Sequence, residues 1–283
     1  MGLLDAKVAI VTGAGRPRGI GEATALKLAQ EGADVVVSDI DRTYDGDLAW
    51  YPLGSMDHLQ TVVERIRGLG RKATALKADI TRKDEVEGMI GDTVNEYGRL
   101  DILVNNAGSA VGAGPFLAID ETAWDKTFEV NVKGTFYCMR AAIPEMLRIG
   151  GGRIINISSV GGLKGAPEYG AYNASKFAVV GMTQTAAFEF APHNILINCV
   201  CPNSVDTRLT EFHRDAYAEV YNITADDLKK EQARRISMGR WALGEDIANA
   251  ICFLASPMNT YITAQALPVE GGYLPPWADV LES

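Results

Sequence analysis

Three side chains are spaced so that together they could move a proton to or from an oxygen atom. Tyr172 and Lys176 stand four residues apart in the segment AYNASK, so on a helix both side chains rise from one face. Ser159 ends the apolar run INISS and could hold an alcohol or carbonyl oxygen. A phenol acts as a base near neutral pH only when a neighbouring positive charge stabilises its anion. Taken alone, a Tyr and a Lys one turn apart are also typical of an exposed helix surface.

A glycine-rich turn is the second feature that could do chemistry. The segment TGAGRPRGIG, residues 12–21, follows the first predicted strand and leads directly into a helix. Glycines there let backbone amides approach a pyrophosphate, whose charge a helix N-terminus stabilises. An ordinary turn is the alternative, but the position between strand and helix favours nucleotide binding. The predicted contacts are Gly13, Arg18, Gly19, Ile20 and Gly21.

Carboxylates at the ends of the second and third predicted strands indicate which nucleotide is bound. Asp39 lies at the end of ADVVVSDI, where a carboxylate can accept hydrogen bonds from both adenosine ribose hydroxyls and repels a 2′-phosphate. This favours NAD over NADP. Arg18 points the other way, because it could bind a 2′-phosphate. The alternative interpretation of Asp39 is a solvent-exposed acid in a loop. Asp79, in KADI, is a candidate partner for the adenine amino group. The residues that follow these acids, Ile40 and Ile80, complete the predicted adenosine site.

The elements that must position these groups alternate between short β-branched runs and longer stretches of helical period. KVAIVT, ADVVVSDI, KATALKADI, DILVNN, GRIINISS, ILINCV and ALPVEGG are the predicted strands, and long helices are predicted near 122–148 and 172–190. Strands this apolar are buried on both faces, as in a parallel sheet covered by helices. We therefore predict an α/β fold, a doubly wound Rossmann fold with a seven-stranded parallel sheet, in a single domain over residues 1–283.

Three segments break this alternation. Residues 41–56 form an insertion, residues 203–243 form a long polar and helical segment, and residues 274–283 form a tail with Pro and Trp. Long insertions in a compact domain are usually functional. We therefore expect residues 203–243 to be a substrate loop.

The net charge and composition of the chain indicate which kinds of partner it can bind. The 283-residue chain has a formal net charge of -9, which would repel nucleic acid and anionic lipid. The apolar run in the opening segment is too short to span a membrane, and the segment lacks the features of a secretory signal. A cytoplasmic protein is therefore expected. The four cysteines and three histidines have no metal-ligand spacing, and no metal is predicted. A small molecule is the expected partner.

The motifs, in their order and spacing, resemble those of the short-chain dehydrogenase/reductase family over nearly the whole chain. The matching motifs are Thr12-Gly13 with Gly19 and Gly21, Asn105-Asn106-Ala107-Gly108 after the fourth strand, Asn131 in NVKG, Ser159, and Tyr172 with Lys176. The segment from Gly239 to Gly272 is similar to the end of that family. The resemblance also implies a homotetramer, for which the predicted helices near 122–148 and 172–190 are the candidate contacts.

The resemblance implies a role for each residue of the chemical group. Tyr172 would be the general acid/base, and Lys176 would bind the nicotinamide ribose and lower the pKa of the phenol. Ser159 would orient the substrate oxygen, and Asn131 would hold a water molecule in a proton relay. Ser158 is the rival for the serine role, but Ser159 is preferred because its separation of thirteen residues from Tyr172 is common in the family.

The remaining implied contacts line the nicotinamide. They are Asn106, Ala107 and Gly108, together with Pro202, Val205 and Thr207 in CPNSVDT. Asn203 stands where the family usually has glycine, so its amide could reach the nicotinamide or the substrate, and a favourable turn residue is the alternative.

Two departures from the family pattern lie near the nucleotide. The glycine turn has five residues between Gly13 and Gly19 where the family usually has three, so Arg16-Pro17 resembles an insertion. The insertion at 41–56 resembles that of actinobacterial carveol-type dehydrogenases. Part of that group is thought to keep NAD tightly bound for a redox peptide partner, so a nonexchangeable cofactor is a further hypothesis. Those NAD-retaining dehydrogenases have an RGQGR-like glycine turn. The turn of this chain reads RPRGIG and matches it only partly.

The expected substrate pocket is mostly apolar. Its candidate walls are Val111, Phe116, Leu163, Tyr169, Leu209, Phe212, Tyr217, Met238 and Trp241, and the predicted substrate contacts are Ser159, Tyr169, Asn203 and Trp241. We expect an NAD-dependent oxidoreductase that acts on a hydrophobic secondary alcohol or its ketone, of alicyclic, terpenoid or aryl type. The alternatives are a 3-oxoacyl reductase of the same family and a non-catalytic nucleotide-binding protein.

Overall fold

Seven short strands, β1 to β7 in chain order, form one parallel sheet. They are Val8–Thr12, Asp34–Asp39, Ala73–Lys77, Ile102–Asn105, Gly152–Ile157, Ile195–Pro202 and Ala266–Val269. In the computed structural model, which describes residues 2–49 and 51–272, the strands lie in the order β3-β2-β1-β4-β5-β6-β7 and every neighbouring pair is parallel. The predicted doubly wound fold with a seven-stranded parallel sheet in one domain is confirmed.

Helices cover both faces of the sheet. In chain order, α1 to α9 are Ile20–Gln30, Met56–Gly68, Lys83–Tyr97, Glu121–Phe128, Thr135–Arg148, Gly170–Phe190, Arg208–Tyr221, Ala225–Arg234 and Gly244–Ala255. One face of the sheet packs against α1, α2 and α9, and the other packs against α3, α5 and α6. Each large aliphatic side chain buried in these two cores contributes about 1.5–3 kcal/mol. The central strands are therefore apolar on both sides, as their sequences predict.

The strand order reverses between β1 and β4, which creates a crevice at the carboxyl ends of these strands. Hydrogen bonds join the two loops that leave them. The Thr12 hydroxyl accepts from the backbone amides of Asn106 and Ala107, both at 3.1 Å. The Asn106 side chain donates to the carbonyl oxygens of Thr12 and Gly13 at 2.8 and 2.9 Å. The crevice is thus a fixed structure in which a ligand can be held.

The predicted helix near 122–148 is interrupted. A π-helical segment, Glu129–Gly134, separates α4 from α5. The extra residue per turn in such a segment re-aims side chains and often marks functional positions, and Asn131 lies within it. The hydrophobic period of the sequence carries no sign of this change because the flanking turns remain helical.

The two segments that break the strand and helix alternation adopt different structures. Residues 41–56 contain a short 3-10 helix, Gly46–Leu48, and end at the first residue of α2. Residues 203–243 contain α7 and α8, which follow β6 at the carboxyl edge of the sheet. The expected tail at 274–283 lies outside the described residues. Within the described part of the chain, no helix has the length and apolar character needed to cross a membrane.

Candidate active site

Tyr172 and Lys176 lie in the first two turns of α6, next to the end of β5. The Lys176 ammonium lies 5.5 Å from the centroid of the Tyr172 ring and donates to the Ile157 carbonyl oxygen at 2.8 Å. Ser159 follows β5 and accepts a hydrogen bond from the Gly161 amide at 3.0 Å. The structure therefore brings Ser159, Tyr172 and Lys176 together at one wall of the cleft.

Burial governs the ionisation of this group. Removal from water raises the pKa of Tyr172 to about 12, against which a hydrogen bond from Ser159 acts. Burial also lowers the pKa of Lys176 to about 8. Loss of hydration outweighs the hydrogen bond from Ser159, so the net shift of the phenol pKa is upward. The role of Lys176 in lowering that pKa stays a prediction.

The two adjacent serines have different surroundings. Ser158 is buried and donates to the Lys176 carbonyl oxygen at 3.0 Å, so its hydroxyl ties the end of β5 to α6. Ser159 is less buried and is the serine that interacts with the Tyr172 phenol. The geometry therefore keeps Ser159 as the candidate for holding the substrate oxygen.

Asn131 is buried in the π-helical segment. Its Oδ1 accepts from the Ser109 amide at 2.8 Å, and its Nδ2 donates to the Ser109 carbonyl oxygen at 2.8 Å and to Ser175 Oγ at 2.9 Å. Both amide hydrogens are thus used to hold the loop after β4 against α6. The water-holding role that the resemblance implies stays a prediction.

Close backbone contacts explain the glycines of the nucleotide turn. Gly13 has φ +69°, and a Cβ atom there would lie 2.6 Å from Ala107 Cα. A Cβ on Gly21 would lie 2.6 Å from both the Gly13 oxygen and Asn106 Nδ2. Gly19 caps the start of α1, so the turn presents backbone and a helix N-terminus to the cleft. This arrangement fits a nucleotide pyrophosphate.

The two arginines of the turn face different partners. Arg18, predicted to contact a phosphate, lies 2.6 Å from Glu211 on α7. Arg16 instead lines the cleft, where its Nη2 donates to the Gly108 oxygen at 3.2 Å and its Nη1 is buried without an acceptor among the described residues. Arg16 is thus the arginine of this turn that lines the cleft, whereas the sequence marks it only as part of an insertion.

The two strand-end acids lie at the carboxyl ends of neighbouring strands, and protein donors already occupy both. Asp39 accepts from the amides of Gly15 and Ile40, each at 2.8 Å. Asp79 pairs with Arg42 and accepts from the amide and hydroxyl of Thr81.

Asp39 therefore also fixes the glycine turn, and an adenine amino group would share Asp79 with Arg42. Ile40 is partly buried beside Asp39, and Ile80 is buried against Gly134 of the π-helical segment.

A cleft of about 280 Å³ joins the nucleotide turn to Ser159 and Tyr172. Among the predicted site residues, it is lined by Gly13, Gly19, Ile20, Asn106, Gly108, Ser159, Tyr169, Tyr172, Lys176, Pro202, Asn203, Val205, Thr207 and Trp241. Tyr169 packs edge-on against Tyr172, with ring centroids 6.1 Å apart, and stacks on Tyr217 at 6.4 Å.

Only part of the expected apolar wall reaches the cleft. Tyr169, Leu209, Tyr217 and Trp241 line it, whereas Phe212 is not among its lining residues. Val111 packs with Tyr44 and Tyr51 of the insertion, and Phe116, Leu163 and Met238 are exposed. These differences arise because a loop sequence does not specify which of its apolar residues faces inward.

Comparison with known proteins connects this geometry to a family. The family model described as Enoyl-(Acyl carrier protein) reductase matches residues 13–274. A 3-oxoacyl-(acyl-carrier-protein) reductase of Staphylococcus epidermidis is 38% identical over 94% of this chain and 98% of its own length. A short-chain dehydrogenase/reductase of Armillaria gallica is 39% identical over 94% of this chain and 95% of its own length.

The chain belongs to the short-chain dehydrogenase/reductase family. The solved structure of carveol dehydrogenase from Mycobacterium avium in complex with NAD superposes on this short-chain dehydrogenase/reductase with a TM-score of 0.89 at 32% identity, and the match covers 96% of this chain and 99% of that one. The partial similarity to actinobacterial carveol-type dehydrogenases is therefore confirmed, and the protein is an oxidoreductase.

Proposed function

We propose that this protein is an NAD-dependent dehydrogenase that oxidises a hydrophobic secondary alcohol, of alicyclic, terpenoid or aryl type, or reduces the corresponding ketone. The observation that carries the proposal is the position of Tyr172, between Ser159 and Lys176 and facing a cleft that also contains the glycine turn. The aromatic side chains of Tyr169 and Tyr217 line the same cleft and suit a hydrocarbon substrate.

The side chains divide the reaction between them. Ser159 orients the alcohol hydroxyl, and the Tyr172 oxygen accepts its proton as the ketone forms. The Lys176 ammonium stabilises the phenolate, which requires that the lysine stay protonated. When bound, NAD would supply the hydride acceptor and, in its oxidised form, a positive charge that favours the phenolate.

The preference for NAD is part of the proposal and rests on Asp39. Its carboxylate is held at the end of β2 by the Gly15 and Ile40 amides, at the position where a ribose 2′-phosphate would meet negative charge. Arg18, the opposing signal, is paired with Glu211. The NAD in the carveol dehydrogenase complex supports the same choice.

A 3-oxoacyl reductase is the second candidate, and the similarity to the staphylococcal enzyme favours it. That reaction would use the same Ser159, Tyr172 and Lys176 in the reducing direction. The net charge of -9 speaks against it because acyl-carrier proteins are acidic and would be repelled.

A paired assay separates the two candidates. The purified protein is given NAD with a panel of alicyclic, terpenoid and aryl secondary alcohols, and separately NADPH with an acetoacetyl thioester, while the absorbance of reduced nicotinamide is followed. The proposal predicts faster turnover with NAD and at least one alcohol. Faster turnover of the thioester with NADPH would establish the second candidate instead.

The cofactor preference is tested with Asp39→Asn, which keeps the shape of the side chain and removes its charge. The ratio of kcat/KM for NAD to that for NADP should fall by about tenfold or more, because the like-charge repulsion of the 2′-phosphate is lost. Asp45→Asn, an exposed acid in the insertion, is the matched control. An unchanged ratio in Asp39→Asn would remove the role given to this carboxylate.

A further inference from the structure

Buried hydrogen-bond donors without acceptors collect in the active-site cleft. Four residues that line it, Arg16, Asn203, Arg214 and Trp241, each have a side-chain nitrogen that is buried and has no hydrogen-bond partner among the described residues. Buried polar groups in folded proteins are nearly always paired. All four are donors, so the cleft is built for ligands rich in acceptor oxygens.

The cleft is also positively charged. Arg16, Lys176, Arg208 and Arg214 line it, and the described lining residues include no Asp or Glu, although the chain as a whole carries a net charge of -9. Arg16 lies at the glycine turn, Lys176 belongs to the proton-transfer group, and Arg208 is paired with Glu211 at 2.9 Å. Arg214 is the cation for which the proposed function gives no partner.

Arg214 lies deep in the wall formed by α7. Its side chain is only 11% exposed, and its ion pair is a long contact of 3.5 Å to Asp215, whose own side chain is 60% exposed. Tyr217, one turn further along α7, stacks on Tyr169, which in turn packs against Tyr172. A series of aromatic rings thus connects the region of Arg214 with the phenol that would receive the proton.

We propose that Arg214 binds a carboxylate of the substrate, so that the natural substrate is a hydrophobic secondary alcohol or ketone that also carries a carboxylate. The planar guanidinium offers the paired donors that a carboxylate accepts, and Trp241 Nε1 supplies a further donor in the same cleft. Leu209, Tyr169 and Tyr217 would contact the hydrocarbon between the two polar ends. The alcohol part of this substrate rests on the proposed function, whereas the carboxylate site rests on Arg214.

Cyclohexanecarboxylate and cyclohexanecarboxamide form a matched pair of probes that differ in charge. Their affinities for the protein saturated with NAD can be measured by calorimetry without any turnover. The carboxylate should bind at least about tenfold more tightly, because a hydrogen bond to a charged group is the stronger kind. Arg214→Gln should abolish this preference, and Arg214→Lys should restore part of it.

Arg234→Gln is the control, because it makes the same change of charge at a side chain of α8 that is 80% exposed. It should keep the preference for the carboxylate. Circular dichroism and NAD affinity show whether the Arg214 variants are folded. Equal affinity for the two probes in the wild-type protein, or an unchanged preference in folded Arg214→Gln, would overturn the proposal.

The binding assay separates this proposal from the proposed function. If the protein oxidises neutral alcohols but shows no preference for the carboxylate probe, the role of Arg214 is contradicted and the proposed reaction is not. A preference that depends on Arg214, in a protein that oxidises no alcohol, would support the carboxylate site and contradict the proposed reaction.

Discussion

Tyr172 and Lys176 lie side by side in the wall of the cleft, where Lys176 is buried and Tyr172 is partly buried. Burial moves their pKa values in opposite directions, to about 12 for the phenol and about 8 for the ammonium, and both shifts favour the neutral form. The phenol therefore needs additional positive charge before it can act as a base near neutral pH. Proton transfer should consequently depend on an occupied cofactor site.

Lys176 makes folding stability depend on pH. Its pKa is about 8 in the folded protein, below the ordinary value of 10.5, so between these values the unfolded chain binds more protons and stability rises with pH. Relative to Lys176→Met, the wild-type free energy of unfolding should increase over this range by as much as about 3 kcal/mol. Urea unfolding of both proteins without cofactor, at several pH values, measures this. A difference that stays constant with pH would contradict the assigned cause.

Sequence predicted some residues of the site much better than others. Tyr172, Lys176 and Ser159 were found because their chemistry requires particular residue types at particular spacings. Arg16 and Arg214 were missed as functional residues because a cation in a turn or in a polar helix gives no sign of its direction. Their burial in the cleft becomes visible only when the loop after β4 and helix α7 are in place.

Among the elements, the insertion at 41–56 does more than lengthen a loop. Tyr51 is fully buried, and its hydroxyl oxygen accepts from the Ala110 amide at 3.1 Å. Tyr44 and Tyr51 pack with Val111 and Ala123. The insertion therefore supports the loop that follows β4, which forms one wall of the cleft.

Removal of one hydroxyl tests this support. Tyr51→Phe leaves the buried Ala110 amide without its acceptor and should lower the free energy of unfolding by about 1–3 kcal/mol. Tyr261→Phe makes the same change at a side chain that is 96% exposed and should have little effect. Chemical denaturation gives both values, and equal stability of the two variants would show that the insertion does not support the loop through Tyr51.

The strands and most helices could be predicted, because buried parallel strands and amphipathic helices each leave a clear hydrophobic period. The π-helical segment Glu129–Gly134 could not, since it arises from one extra residue in a turn. The path of residues 41–56 also could not be predicted, because it depends on the contacts that Tyr44 and Tyr51 make with distant residues.

For the molecule as a whole, we predict a homotetramer. The helices α5 and α6 carry the exposed aromatic residues Phe136, Phe177 and Phe188, and exposed apolar surface of this kind marks contact regions between subunits. Light scattering should give the mass of four chains, and Phe188→Glu should lower it. Leu69→Glu, at the end of α2 and 45% exposed, should leave the mass unchanged. A wild-type monomer would contradict the prediction.

Charge distribution is the other property of the whole molecule that bears on function. The chain is acidic overall, yet the described residues that line its cleft are basic or neutral. A basic lining of this kind favours anionic groups bound within the cleft. This pattern agrees with a nucleotide and an acidic substrate bound in the same cleft.

If Tyr172 transfers the proton in an NAD-linked oxidation, the variant Tyr172→Phe should lose that reaction. With an alcohol that the wild-type protein oxidises, kcat should fall by about 100- to 10,000-fold. The affinity for NAD, measured by calorimetry on the same preparation, should change little because the phenyl ring is kept. Turnover close to that of the wild-type protein would show that Tyr172 does not transfer the proton.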